Sequence, residues 1–367
     1  MTRQKLRQIF DAILVPVLAV ISGLILMGIL ILLTGKPLFE SYRILFTSAF
    51  GCKNIQTSCA LFTTFERATP LIFTGLSAVV AFRSGLFSIG QEGQYLMGAV
   101  VAAYLGYAIH LPIIIHPIVI ILASMSAGAL YGWIPGILKV KLGVNELLAT
   151  IMMNAIAVVF VEYMVQFPMR ADPTTTAHSP IIDQTAILPS FFQGSKWGVG
   201  FVIAIVTAAI VLVYLWRTKA GYEQRMAGQS RRFALFGGIP SDKAAIRAMI
   251  ISGALAGLGG ATDVLGVHRR IMSGFSTGLG FDGLTAAILG QTHPVGVVIV
   301  TILFAGLKLG AQLGLQTQVK IPRELGGTII GFIILFVAAR KFYENNIVAV
   351  RKFFARRKQS GAKGETS

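Results

Sequence analysis

Between Ala12 and Leu33 the chain carries no charged residue, and several apolar runs of comparable length follow it. About 20 such residues cross a hydrocarbon layer about 30 Å thick, where only helices and closed barrels satisfy their own backbone groups. Composition points the same way. Hydrophobic residues make up 54% of the sequence and charged ones 13%, against about 25% charged in an ordinary soluble domain. The expected class is an all-α integral membrane protein, with residues 1–367 forming a single transmembrane domain. The basic stretch Met1–Gln8 leads into a run too long for a signal peptide and without a small-residue cleavage site, so this run is expected to stay attached as the first span.

Apolar runs separated by charged or Pro-rich breaks predict about ten spans. They cover 12–34, 68–82, 90–109, 117–138, 145–167, 198–216, 244–262, 282–291, 294–311 and 324–340. The pair at 282–311 is read as a short, broken helix, then Pro294 and a full span. With the N-terminus inside, 21 Lys or Arg fall on inner segments and 10 on outer ones, with Lys308 inside a span. That excess obeys the positive-inside rule. Both termini are then cytoplasmic, segments 35–67 and 168–197 are extracytoplasmic loops, and 341–367 is a basic cytoplasmic tail. The net charge of +17 therefore reflects topology and anionic lipid rather than nucleic acid. Cys52 and Cys59 lie in an outer loop, where oxidising conditions permit a disulfide; two unrelated thiols are the alternative.

Glycine spacing bears on packing. Gly128, Gly132 and Gly136 recur every four residues, as do Gly306, Gly310 and Gly314, and Gly253 pairs with Gly257. Small residues on one face let helix backbones approach in lipid. The longest inner loop, 217–243, holds helix-favouring residues bracketed by Gly221 and by Gly237, Gly238 and Pro240. It predicts a short cytoplasmic helix that projects from the membrane as a docking knob.

No Walker A pattern occurs, since Gly35-Lys36 is followed by Pro37 and lacks the preceding glycine, so ATP hydrolysis belongs elsewhere. The five histidines lack metal-ligand spacing, and no hydrolase motif is present. Glu92, Glu146, Glu162 and Asp282 are acidic groups in or near spans, where a charge is costly. All but Glu162 fall at span ends, and interfacial capping remains open for them. The stretch FRSGLFSIGQEGQYLMGA from Phe82 places glycines and a dense Gln/Glu set at a helix start. It suits either a hydrogen-bonded helix junction or a polar N-cap.

Four segments together carry a family resemblance: RATPLIFTGLSAVVAFRSGLFSIGQEGQYLMGA (67–99), VNELLATIMMNAIA (144–157), AGYEQRMAGQSRRFALFGGI with SGALAGLGGA (220–261), and GFDGLTAAILGQTHPVGVV (280–298). The chain resembles the permeases of ATP-binding cassette (ABC) importers for ribose and nucleosides and, more distantly, branched-chain amino acids. The first two segments look most like the nucleoside-type, or simple-sugar, permeases. The resemblance implies a permease subunit that moves nucleosides or simple sugars without a cofactor of its own, with ATP and Mg bound by a partner ATP-binding subunit. Loop 221–239 would be the coupling helix, with Gly221, Glu223, Arg225, Gly228, Arg231, Arg232 and Gly237 in it and its charged residues facing the ATPase. A second, non-identical permease subunit and an extracytoplasmic substrate-binding protein or lipoprotein are implied as partners. Gln91, Gln94, Asn145 and Asn154 are candidates to line the passage, or to be satisfied by neighbouring helices. The competing readings are a self-sufficient secondary transporter or channel, and a membrane-embedded enzyme.

Overall fold

The computed structural model describes residues 25–320, apart from 30, 55–57, 173–175, 193–195 and 276–277, together with residue 331. In chain order the helices are α1 (Leu38–Phe50), α2 (Ala60–Arg83), α3 (Gln91–Ala108), α4 (Ile115–Leu142), α5 (Glu146–Gln166), α6 (Val199–Arg217), α7 (Lys219–Gln229), α8 (Arg231–Phe236), α9 (Ser241–Asp263), α10 (Leu279–Leu289) and α11 (Pro294–Leu309). Wider turns at Val264–His268 and Gly310–Gln316 extend α9 and α11. Strands β1 (Cys52–Asn54) and β2 (Ser58–Cys59) form a small antiparallel hairpin.

Among the described residues, six helices are long and apolar enough to cross a membrane: α2, α4, α5, α6, and α9 and α11 with their extensions. A seventh arises if Ile25–Leu33 and α1, bent by 119°, count as one. Of the ten spans expected, six meet this test within the described residues, and α3 and α10 occupy two further expected spans without meeting it. Helix α3 opens on Gln91, Glu92 and Gln94, which makes it too polar, and α10 has only 11 residues. Most of the expected spans 12–34 and 324–340 and all of the tail 341–367 lie outside the described residues. Segment 35–67, read as a loop, contains α1, the hairpin and the first turns of α2. Glu40 and Arg43 break the apolar run there, which hid an amphipathic helix.

The chain divides into two units. In the larger, residues 49–306, 78% of the most apolar window of α2 and 72% of that of α9 are buried, against 22–33% for α4, α5 and α6. Helices α2 and α9 are therefore the core, and α4 to α6 leave most of their apolar surface uncovered by the rest of the chain. The glycine spacing explains how α9 fits there. Gly128 and Gly132 of α4 meet Gly253 and Gly257 of α9, and Gly98 of α3 meets Gly257. A Cβ on Gly128 would sit 2.9 Å from the Gly257 Cα, so these helices touch through backbone, the contact that small residues permit in lipid. Gly306 lies against Phe50 in the same unit. In the smaller unit, made of residues up to 48 and from 307, Gly310 and Gly314 lie against Leu45 and Ile44, and Met27, Ile31, Leu45, Leu307 and Leu315 form the core.

Segment 168–197 contains little regular structure, but its backbone is bound. Ser179 N donates to Ile271 O (2.8 Å), Ile182 N to Arg269 O (2.9 Å) and Leu188 N to Leu265 O (3.1 Å).

Candidate functional site

Helix α7 begins where Thr218 Oγ1 accepts from Gly221 N at 3.0 Å. Gly221 lies against the backbone of Tyr214 and Leu215, so α7 can double back on α6 only because no side chain intervenes. The single helix read in this loop is two. Ser230 adopts an extended backbone and its hydroxyl accepts from Phe233 N at 3.3 Å, the usual work of a serine N-cap.

The base of this protrusion is fixed. Gln224 is fully buried, its Nε2 donating to Val80 O at 2.6 Å and its Oε1 accepting from Tyr214 Oη at 2.9 Å. Gly228 abuts the backbone of Arg83, Ser84 and Gly85. Arg247 of α9 donates to Ala220 O at 2.7 Å and pairs with Glu223 at 3.2 Å. Within this chain Glu223 is thus engaged by an internal arginine. Arg225 lies over the Trp216 ring at 5.6 Å.

Its tip is open. Arg231 and Arg232 are exposed, Arg231 pairing with Asp242 at 2.6 Å, and Gly237 is exposed beside them. Phe236 is 92% exposed, with Phe233 and Leu235 also open. Attention to charge missed these apolar residues and missed Gln224. A cavity of about 300 Å³ lies beneath, lined by Lys139, Glu146, Gly228, Ser230, Arg231 and Asp242 among others. Lys139 and Glu146 pair across it at 2.7 Å.

Three of the four passage candidates meet at the start of α3. Gln91 and Gln94 are buried, and their Oε1 atoms have no partner among the described residues. Asn154 Oδ1 accepts from Gly93 N (2.9 Å) and its Nδ2 donates to Ile89 O (2.8 Å), so it braces the break before α3. Asn145 stands apart, exposed, accepting from Leu147 N at 2.9 Å as the N-cap of α5.

Glu92 reaches from α3 to the start of α10, where Oε2 accepts from Gly280 N at 2.5 Å. A carboxylate there satisfies free amides and opposes the helix dipole. Thr74, midway along α2, donates to Leu279 O at 3.2 Å, so α10 starts level with the middle of that span. Asp263, which sequence reasoning passed over, is buried and accepts from Tyr95 Oη and His268 Nδ1. A lone acid inside the glycine-rich run 251–267 was the available signal. Glu162 instead binds Gln166, Ser273 and Gly274. Cys52 and Cys59 lie directly opposite across the hairpin, Cα atoms 4.1 Å apart, with their sulfurs in contact.

Comparison with known proteins fits this architecture. The guanosine ABC transporter permease protein NupP of Bacillus subtilis is 34% identical over 95% of this chain and 98% of its own length. The nucleoside ABC transporter permease protein NupB of Lactococcus lactis is 32% identical over 90% of this chain and 92% of its own. The glucose ABC transporter permease protein TsgB13 of Haloferax volcanii is 26% identical over 91% and 89%. Residues 60–338 match the family described as branched-chain amino acid transport system / permease component. The chain is thus a multi-pass membrane protein that belongs to this permease family.

Proposed function

We propose that the chain is the translocation subunit of an ABC importer for nucleosides, driven by ATP hydrolysis on a separate subunit that docks on α7 and α8. The observation that carries this reading is the protrusion itself. Its base is bound to α2 and α9 through Gln224 and the Glu223–Arg247 pair, and its tip offers Phe233, Phe236, Arg231 and Arg232 to a partner. Force applied at such a tip reaches the spans without being lost in a floppy loop. The choice of nucleosides rests on NupP and NupB, both above 30% identity; TsgB13 supports a sugar.

In this reading α7 and α8 face the cytoplasm, as do both termini, in line with the distribution of basic residues. A second permease completes the passage beside Gln91 and Gln94, and an extracytoplasmic binding protein or lipoprotein delivers cargo to the side bearing the hairpin, which a Cys52–Cys59 disulfide closes. Affinity capture of the full chain from its native membranes tests the docking. A nucleotide-binding subunit should be recovered, and Phe233→Asp with Phe236→Asp should lose it while the chain still inserts. Recovery of no ATPase with the unaltered chain would defeat the proposal.

A further inference from the structure

Trp216, next to the end of α6, gathers two arginines, neither of which pairs with a carboxylate among the described residues. The guanidinium carbon of Arg83 lies 5.2 Å from its ring centroid and that of Arg225 5.6 Å, and the His293 ring is 4.9 Å away. Arg83 is engaged, its Nε donating to Thr292 O at 2.9 Å and its Nη2 to Gln291 O at 3.4 Å. Arg225 is not. Its Nε is buried without a hydrogen-bond partner, and Glu223, two residues earlier, is taken by Arg247. A partly desolvated cation beside another cation is unfavourable until an anion joins it.

The surroundings say which anion. Helix α6 is the most apolar of the six spans, and only 28% of its apolar window is buried. Val206, Ile210 and Val213 are exposed at helical spacing on the way to Trp216, and Val295 and Ile299 are exposed at the start of α11. Tryptophan with arginine at the end of a lipid-facing helix marks the headgroup level. Apolar walls leading to an unbalanced cationic floor match an anionic phospholipid, whereas an acidic protein segment would not need the walls.

We propose that Arg225, Arg83 and Trp216 form a headgroup site for an anionic phospholipid, its phosphate accepting from the Arg225 guanidinium and its acyl chains lying along α6 and the start of α11. The site depends on the membrane-spanning architecture and not on the transport reading, so the two fail separately.

Quenching of Trp216 by brominated lipid reads the site in the full chain carrying Trp133→Phe and Trp197→Phe. Phosphatidylcholine vesicles with a small fraction of brominated phosphatidylglycerol are compared with vesicles holding the same fraction of brominated phosphatidylcholine. Two basic side chains at the surface should favour the anionic lipid by roughly tenfold or more. Arg225→Gln, which leaves the Arg83 tie intact, should cut that preference several-fold, and Arg225→Lys should restore part of it. Unchanged quenching by brominated phosphatidylcholine in these variants certifies that they are folded and inserted. Equal quenching of the unaltered site by both lipids overturns the proposal, as does a preference that survives Arg225→Gln. Reversal by millimolar inorganic phosphate also overturns it, by assigning the site to a free anion.

Discussion

The side-chain amide of Gln224 donates to the carbonyl of Val80 at 2.6 Å, joining α7 to the last turns of α2. Helix α2 in turn touches α10 through Thr74 and holds the α10–α11 turn through Arg83. That turn contains Gln291 and Thr292 in the left-handed region, at φ of 57° and 51°, a conformation that costs a non-glycine residue about 1–2 kcal/mol. Displacement of the protrusion therefore reaches a strained break between two helices by way of one rigid span.

Gln224→Leu removes both buried hydrogen bonds and should loosen α7 by about 1–3 kcal/mol. Limited proteolysis within residues 218–240 should accelerate while the spans stay protected. Unchanged cleavage would mean that Gln224 does not hold the protrusion.

Gly257→Val inserts a side chain where α9 meets Ser124 and Gly128 of α4 backbone to backbone. Overpacking of this kind costs about 1–3 kcal/mol or more, and the monodisperse fraction after detergent extraction should fall. Gly266→Ala, where nothing lies within 4 Å, is the matched control and should extract normally.

Much of this was legible in the apolar runs. Eight of the expected spans coincide with helices, because a run without charge and its flanking breaks are local properties. The triplet Gly128, Gly132 and Gly136 and the spacing of Gly253 and Gly257 each announced close packing, but that they meet one another is seen only in the structure. The break at Ser230 was locally encoded but was masked by helix-favouring neighbours. Other features were not local at all. Glu223 is captured by Arg247, 24 residues away, and Glu92 by the start of α10, 188 residues away. Pairings at such separations depend on how helices pack, and a carboxylate that looks outward-facing or interfacial in the sequence can be an internal brace.

Glu92→Leu leaves the first amides of α10 without their acceptor and should lower thermal stability in detergent by about 1–3 kcal/mol. Glu92→Gln keeps an acceptor oxygen and should lose less. Equal losses in the two variants would show that the capping bond is not what stabilises α10.

His293, in the turn between α10 and α11, is held below its ordinary pKa by burial and then by the charge of Arg83. The folded form keeps it neutral while the unfolded chain takes up a proton, so its contribution is fully present above about pH 6.5 and declines as pH falls below it. Between pH 7 and 5 the unaltered protein should lose melting temperature relative to His293→Gln, which lacks this contribution. On the other side, Asp183 is held below the ordinary aspartate range by its hydrogen bond to His110, and that contribution is lost only on strong acidification.

The central claim is that α8 receives the work of an ATPase and the spans pass a nucleoside. ATP-dependent uptake of radiolabelled guanosine into proteoliposomes holding the complete transporter tests it most directly, comparing the unaltered chain with Phe233→Ser and Phe236→Ser together. The account predicts that the unaltered complex accumulates guanosine only with ATP and that the doubly substituted one, inserted at equal density, does not. Undiminished uptake by the substituted complex, or guanosine accumulation by this chain alone along an ion gradient, would contradict it.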